Sequence, residues 1–419
     1  MIKYLLFHII FYLVFIGPSF KLIDVFWFLN LLSSVYFFVF HLKKQFERVK
    51  FFLIYGFVLF IYTLFVILIN YENLSFEFLN ETIKFFIVVS SALGIIILAK
   101  KRFPKCYVLV ILRSIFFSGL FTAILALIMF FNPEIKNLLL DLTKLKLAGA
   151  GNYLSYRLID LSQGGGVSLS LVFLLSLIIY FELSLSYHIS RFYSIWPPIL
   201  LLFAMVMTAR TGFILGVFIF GLYLFIRLST LHKLRVNTNF ICHILFFVFL
   251  LFPSAYYLFP IIFVSLDVVV LAEWILSVFD FKSGTTGDLI AGKHYYFYSE
   301  GFVDSFFGQN DFSFPSDVAF TKMFYFGGVF AVLIYLFFWI YVFYKASFFK
   351  VYQIKTLSTS VTRVFIIFTF ILFFINFKEL AFTNYRSVFL ALLLLYFLFI
   401  DVRLASRNDY FRMHGSLQW

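Results

Sequence analysis

Charge is scarce in this chain: Asp, Glu, Lys and Arg supply 13% of it, against 63% hydrophobic residues. Soluble domains average about 25% charged residues, so a soluble globular class is excluded. Cysteine is scarcer still, with two in 419 residues, Cys106 and Cys242. Both lie at the edges of apolar runs, which excludes a disulfide framework and a cysteine metal centre. No His, Cys and carboxylate cluster has metal-ligand spacing, no Gly-x-Ser-x-Gly elbow occurs, and no Walker loop is present. No metal or cofactor is therefore expected. There is no internal repeat and no low-complexity linker. The first apolar run, Tyr4 to Ile16, lacks a small-residue cleavage site and leads through Gly17-Pro18 into another apolar stretch. A cleavable signal peptide is not expected there.

What remains is hydrophobic sequence, with a mean hydropathy of +1.02. Apolar runs of this length read as membrane-spanning helices, because backbone groups in lipid must be satisfied within the segment. The pattern predicts about twelve spans. They are 3–17, 22–42, 51–70, 83–99, 106–131, 166–187, 194–208, 212–228, 241–262, 323–344, 361–377 and 388–401. The fold class expected is an all-α polytopic membrane protein, one domain over residues 1–419, with the lipid bilayer as its solvent. The 68 Phe residues fit the codon bias of an AT-rich genome.

Charge sets the expected direction. With the N-terminus inside, the cytoplasmic segments collect Lys3, Lys43, Lys44, Arg48, Lys50, Lys100, Lys101, Arg102, Lys105, Arg191, Arg227, Lys233, Arg235, Lys345, Lys350, Lys355, Arg363, Arg403, Arg407 and Arg412. The positive-inside rule then places both termini in the cytoplasm. The net charge of +13 reflects this bias and affinity for anionic lipid, so no nucleic-acid partner is expected.

Two long loops, 132–165 and 263–322, fall outside in this topology. The first ends in a run containing Arg157, Asp160 and Gln163, followed by Gly164, Gly165 and Gly166. Three glycines are costly to order, and they suit close approach of backbone to a ligand or helix. Arg157 offers a planar fork for phosphate oxygens. A flexible loop with an interfacial Arg is the competing account.

The sharper signal is Ala209-Arg210-Thr211-Gly212. Residues 194–228 are too long for one span, and two helices of about 15 residues each are short against the roughly 20 needed. The turn is expected to be recessed, and a cation at that depth is a functional-site candidate. Snorkelling to the head groups is the alternative.

The second loop opens with an apolar stretch from Val264 to Phe279 that carries Asp267 and Glu273, read as an interfacial helix. Then come Gly284, Gly287-Asp288, Lys293-His294-Tyr295, Asp311 and Ser316-Asp317. Aromatic rings interleaved with Asp, Asn and Gln suit sugars, whose C–H faces stack on rings and whose hydroxyls take hydrogen bonds. An interfacial aromatic belt is the alternative. His294 is the loop's only histidine and a candidate base. A last outer turn adds Lys378 and Arg386. Outward cations that violate the sorting rule are explained by an anionic head group such as a diphosphate.

The Ala209-Arg210-Thr211-Gly212 turn, the long loop ending in Ser316-Asp317, the Gly327-Gly328 helix start and the tail from Phe377-Lys378-Glu379 to Arg386 together resemble the Wzy-type O-antigen and capsular polysaccharide polymerases. The resemblance covers most of the chain from Asn152. It implies a GT-C-like glycosyltransferase of the bacterial inner membrane, acting on undecaprenyl-diphosphate-linked oligosaccharide, with a chain-length regulator as a further partner and no nucleotide sugar. It implies that Arg210, with Thr211 and Gly212, holds the donor diphosphate, that Arg157 is a second contact, and that the loop from Gly284 to Asp317 holds the acceptor. Relatives often place an Arg soon after the Ser-Gly of that loop, whereas here Asp288 follows Gly287 and the nearest cation is Lys293. The base is open among His294, Asp288 and Asp317. The alternatives are an O-antigen ligase and a lipid-linked oligosaccharide flippase or other transporter.

Overall fold

The computed structural model describes residues 2–21, 23–71, 74–142, 159–160, 164–186, 196–231, 301–312, 318–347, 356–377, 380 and 386–415. Among them are thirteen helices, numbered here in chain order. They are α1 (Ile2–Phe15), α2 (Val25–Phe40), α3 (Leu42–Ile69), α4 (Glu77–Arg102), α5 (Tyr107–Phe131), α6 (Pro133–Leu142), α7 (Val167–Ser186), α8 (Trp196–Thr208), α9 (Arg210–Leu231), α10 (Phe302–Phe307), α11 (Ala319–Ser347), α12 (Thr356–Ile375) and α13 (Arg386–Gly415). The strands β1 (Ile159–Asp160) and β2 (Gly164–Gly165) form a two-residue antiparallel ribbon. Five helices, α3, α4, α5, α7 and α11, are long and apolar enough to cross a membrane, and five shorter helices are also apolar. The predicted span 241–262 and the predicted interfacial helix at 264–279 lie outside the described residues.

Local chemistry sets the helix ends. Asp24 caps α2 by accepting from the Trp27 amide at 3.3 Å, and Asn132 Oδ1 accepts from Ile135 at 3.1 Å at the start of α6. Pro133 opens α6, a position where its missing N–H costs nothing. At the other end of α4, Lys100, Lys101 and Arg102 complement the helix dipole. Pro104 then prevents the helix from continuing.

Hydroxyls within the apolar helices bond back to carbonyls one turn earlier. Thr63 reaches Leu59, Thr82 reaches Phe78, and Ser114 reaches Val110, at 2.7, 3.0 and 2.8 Å. That satisfies them without water. Close helix packing falls where glycine meets serine. A Cβ on Gly94 would stand 2.5 Å from Ser33 Oγ, and Cβ atoms on Gly119 and Gly212 would collide with Ser176 and Ser170. Small residues let helices approach in membranes, where van der Waals packing drives association. Helices α7 and α13 form the centre. Helix α7 packs against α5, α8, α9, α12 and α13. The α13 run from Val388 to Phe399 is buried on every side.

Side-chain pairs fix the directions. Tyr4 stacks on Phe103 and Tyr12 meets Phe121, so α1 runs parallel to α5. Lys84 lies over Trp27, and Gly94 touches Ser33, so α2 runs parallel to α4. Gly212 meets Ser170, and Tyr223 bonds Glu182, so α9 follows α7. The α1–α2, α3–α4 and α8–α9 connections, α6 and the ribbon therefore share one end of the bundle, called here the loop end. The opposite end holds Lys43, Lys44, Lys100, Lys105 and Lys345 and is called the basic end. Tyr4 and Asp401 both lie near the start of α5, so α1 begins and α13 finishes at the basic end.

Three expectations change. The first loop, predicted over 132–165, contains α6 and the ribbon. Helix α11 begins at Ala319 rather than 323, and Gly327-Gly328, expected at a helix start, instead break it. The two short helices of residues 194–228 become a 13-residue α8 and a 22-residue α9, so only α8 is short.

Candidate functional site

The loop end holds the polar backbone irregularities of the bundle. The first is the α8–α9 hairpin, in which Ala209 alone separates the helices. Its amide still bonds Met205 O at 3.1 Å, and its carbonyl accepts from Phe213 at 3.1 Å. The helices fold back on each other: a Cβ on Gly216 would stand 3.0 Å from Met205 Cε and 3.1 Å from Leu202 Cδ2. Thr208, Ala209 and Gly212 are all buried. Gly212 rests directly on Ser170 in the first turn of α7, where no side chain fits. Arg210 and Thr211 are the first residues of α9, at the positive end of its dipole.

The second irregularity is the α11 break. Gly327 (φ −139°, ψ 24°) and Gly328 (φ 63°, ψ −160°) leave helical geometry. The left-handed φ of Gly328 favours glycine, and its Cα packs onto the backbone of Phe306 and Phe307. A break within an apolar helix needs new partners for its freed carbonyls. The amides of Gln309 and Asn310 bond Tyr325 O and Phe326 O at 2.9 and 3.0 Å, and the Tyr62 hydroxyl from α3 donates to Gly327 O at 2.5 Å. Asn310, at φ 56°, also sends its side-chain amide to Ser75 O at 3.3 Å. The segment 307–312 is thereby clamped between α3, the α3–α4 connection and α11. Eighteen residues separate Gly327 from Lys345, about 27 Å at the helical rise, close to a hydrocarbon thickness. Around the clamp stand Asp304, Gln309, Asp311 and Lys322. Gln309 Nε2 donates to Asp304 Oδ2 at 3.4 Å, and Lys322 lies 5.8 Å from the Phe312 ring centre. Carboxylates and an amide beside aromatic rings can hydrogen-bond a polyhydroxyl ligand.

Among the predicted site residues, Gly212 and Asp311 take these positions. Asp160 pairs with Gly164 in the ribbon. Arg157, Gln163, Asp288, Lys293, His294, Tyr295, Ser316, Asp317 and Lys378 lie outside the described residues, and for Asp160, Arg210 and Thr211 the backbone alone is described. Arg386 departs from its expected role as an outward-facing cation. It is 5% exposed. Its Nη1 donates to both Asp24 oxygens at 2.9 and 2.8 Å, and its Nη2 donates to Ser19 Oγ at 2.9 Å and Gly17 O at 3.4 Å. The guanidinium also lies 5.0 Å from the Phe26 ring centre. This arginine ties α13 to the α1–α2 turn, because a cation at that burial needs a carboxylate more than it needs solvent. On α6, burial pushes the Lys136 ammonium below the ordinary lysine range.

No family model, curated protein or solved structure matches this chain. The site therefore rests on its own residues. Two features escaped the sequence reading. One is Tyr62, whose hydroxyl caps the α11 break from 265 residues away. The other lies toward the basic end, where Glu182 of α7 accepts from the Tyr223 hydroxyl at 2.7 Å and from Arg363 Nε at 3.1 Å. A lone acid inside an apolar run was the available signal for Glu182.

Proposed function

We propose that this chain is a polysaccharide polymerase of the bacterial inner membrane. In this reading the loop end faces outward and both termini face the cytoplasm. The growing glycan leaves undecaprenyl diphosphate and passes to a sugar hydroxyl of an incoming lipid-linked repeat unit. The bond from the anomeric carbon to phosphate oxygen breaks, the bond from that carbon to the acceptor oxygen forms, and the hydroxyl proton passes to a base. Candidates for the base are His294, Asp288 and Asp317.

The observation that supports this best is the position of Arg210. It begins α9 on a hairpin whose neighbouring residues are buried, so a fixed cation coincides with a helix N-terminus. Both favour a phosphate group, and both favour it more as negative charge develops on the leaving diphosphate. Arg157 is assigned the second phosphate contact. The segment clamped at the α11 break, with Asp311, is assigned to the acceptor sugar together with Lys293, Tyr295 and Ser316. A GT-C-like arrangement and a chain-length regulator as partner belong to the same reading.

The test is Arg210→Ala in the host strain, with polysaccharide length read by gel and protein level by immunoblot. Chains should shorten to single or few repeat units. Long chains at normal protein level would remove Arg210 from the mechanism. A deletion strain that accumulates lipid-linked units on the cytoplasmic face would instead identify a flippase, and one that makes long chains unattached to lipid A core would identify a ligase.

A further inference from the structure

Helix α12 presents one face outward. Phe370 and Phe374, and Phe377 just past its end, are half-exposed large hydrophobics. Counting back along the same face by seven residues from Phe370 gives Arg363. These positions coincide around a helix, so the arginine and the rings form one stripe. An outward apolar stripe on a helix of this bundle contacts acyl chains. Arg363 stands at its basic-end terminus.

Its level in the bundle can be traced through contacts. Phe365 lies 5.9 Å from the Tyr396 ring, and Tyr396 exchanges a hydrogen bond with Tyr341 at 3.4 Å. Lys345 Nζ lies 5.4 Å from the Tyr341 ring centre. Arg363 is two residues nearer the basic end than Phe365, so it stands close to the level of Lys345, at the end of the bundle that in the proposed orientation meets the cytoplasmic head groups.

The arginine is also held in place. Its side chain is 43% exposed, while the Glu182 side chain beneath it is 2% exposed. Arg363 Nε donates to Glu182 Oε2, and the other carboxylate oxygen accepts from the Tyr223 hydroxyl. Burying a carboxylate to hold a cation contributes little stability by itself, since apolar residues of similar size do as well or better. What it does provide is a fixed guanidinium. Among the described residues nothing accepts from the two terminal nitrogens of Arg363. That pair forms a fork suited to two oxygens of one phosphate.

We infer that Arg363, oriented by Glu182 and Tyr223, binds the phosphate of an anionic phospholipid whose acyl chain lies along Phe370 and Phe374. The site is independent of the chemistry proposed at the loop end, and it belongs to the opposite leaflet.

The experiment uses the full-length protein in nanodiscs of phosphatidylcholine with or without 20% phosphatidylglycerol, a composition chosen as roughly that of a mildly anionic membrane. Hydrogen–deuterium exchange of the first turns of α12 is the main readout. Phosphatidylglycerol should slow exchange there several-fold in the wild type. Native mass spectrometry from detergent should retain one more phosphatidylglycerol on the wild type than on Arg363→Gln. Arg403→Gln, a cation at the same end, should retain the wild-type number. Equal protection in pure phosphatidylcholine, or equal retention by Arg363→Gln, would overturn the inference. Equal protection by inorganic phosphate in phosphatidylcholine discs would overturn the lipid as its source. If Arg363→Gln does not fold, the wild-type exchange comparison decides alone.

Discussion

Replacing Arg386 separates a structural role from a substrate-binding one. Arg386→Met removes two hydrogen bonds to Asp24, one to Ser19 and one to Gly17, as well as the contact with the Phe26 face. Removing one partner of a buried pair costs about 3–5 kcal/mol. Asp24 keeps the Ser19 hydroxyl and the Trp27 amide as donors, and its side chain remains 23% exposed, so water relieves part of the loss. The low end applies, about 3 kcal/mol, which shifts the unfolding equilibrium roughly 150-fold. Asp24→Asn retains a cap acceptor but leaves a cation that is 6% exposed without its carboxylate, so the higher end applies to it. Because the residues share the same bonds, the double variant R386M/D24N should lose about 2 kcal/mol less than the sum of the singles. The assay is equilibrium unfolding in mixed micelles by denaturing detergent, followed by tryptophan fluorescence. If Arg386→Met unfolds within about 0.5 kcal/mol of wild type, the range of an ordinary surface change, the structural assignment is wrong.

Other substitutions probe the two irregularities of the loop end. Gly328→Ala places a methyl against the Phe306 backbone at a left-handed φ, and should destabilise by about 2 kcal/mol or more, visible in the same unfolding assay. Gly212→Ala should cost about 1–3 kcal/mol through collision with Ser170, and Ser170→Gly in the same chain should recover part of it; no recovery would place the clash elsewhere. Tyr62→Phe removes only the hydroxyl that caps Gly327, so a loss of about 1 kcal/mol is expected, together with faster amide exchange over residues 309–312.

The apolar runs made the helices legible, because a lipid-facing or core-facing helix is written in consecutive residues. Basic clusters such as Lys100-Lys101-Arg102 likewise marked a common end. What the sequence concealed was pairing across the chain. Arg386 reads as an open cation when only its neighbours are considered, since Asp24 lies 362 residues away. Glu182 sits in a predicted span, and Arg363 counts among the cations of a predicted cytoplasmic segment; nothing local joins them. At the candidate site, the tight turn at Ala209 and the special pair Gly327-Gly328 were visible as residue types. The break within α11 was not, because it depends on Tyr62 and the 309–310 amides arriving from elsewhere to cap it.

Those separations also set an order of assembly. Ribosomes extend chains at about 5–20 residues per second, so the 181 residues between Glu182 and Arg363 take roughly 10–40 s to make. Asp24 waits longer, for Arg386 at the head of the last helix. During synthesis, α7 must therefore enter the bilayer before the cation that pairs with its carboxylate exists. Until then the early helices are held by serine and glycine seams and by ring contacts such as Tyr12 with Phe121, and the bundle gains its second central helix when α13 arrives. A chain truncated before residue 386 would keep the Glu182–Arg363 pair but leave Asp24 without Arg386 and Arg48 without Asp401, presenting quality-control proteases with a bundle that lacks this central helix and the two ion pairs that fasten it.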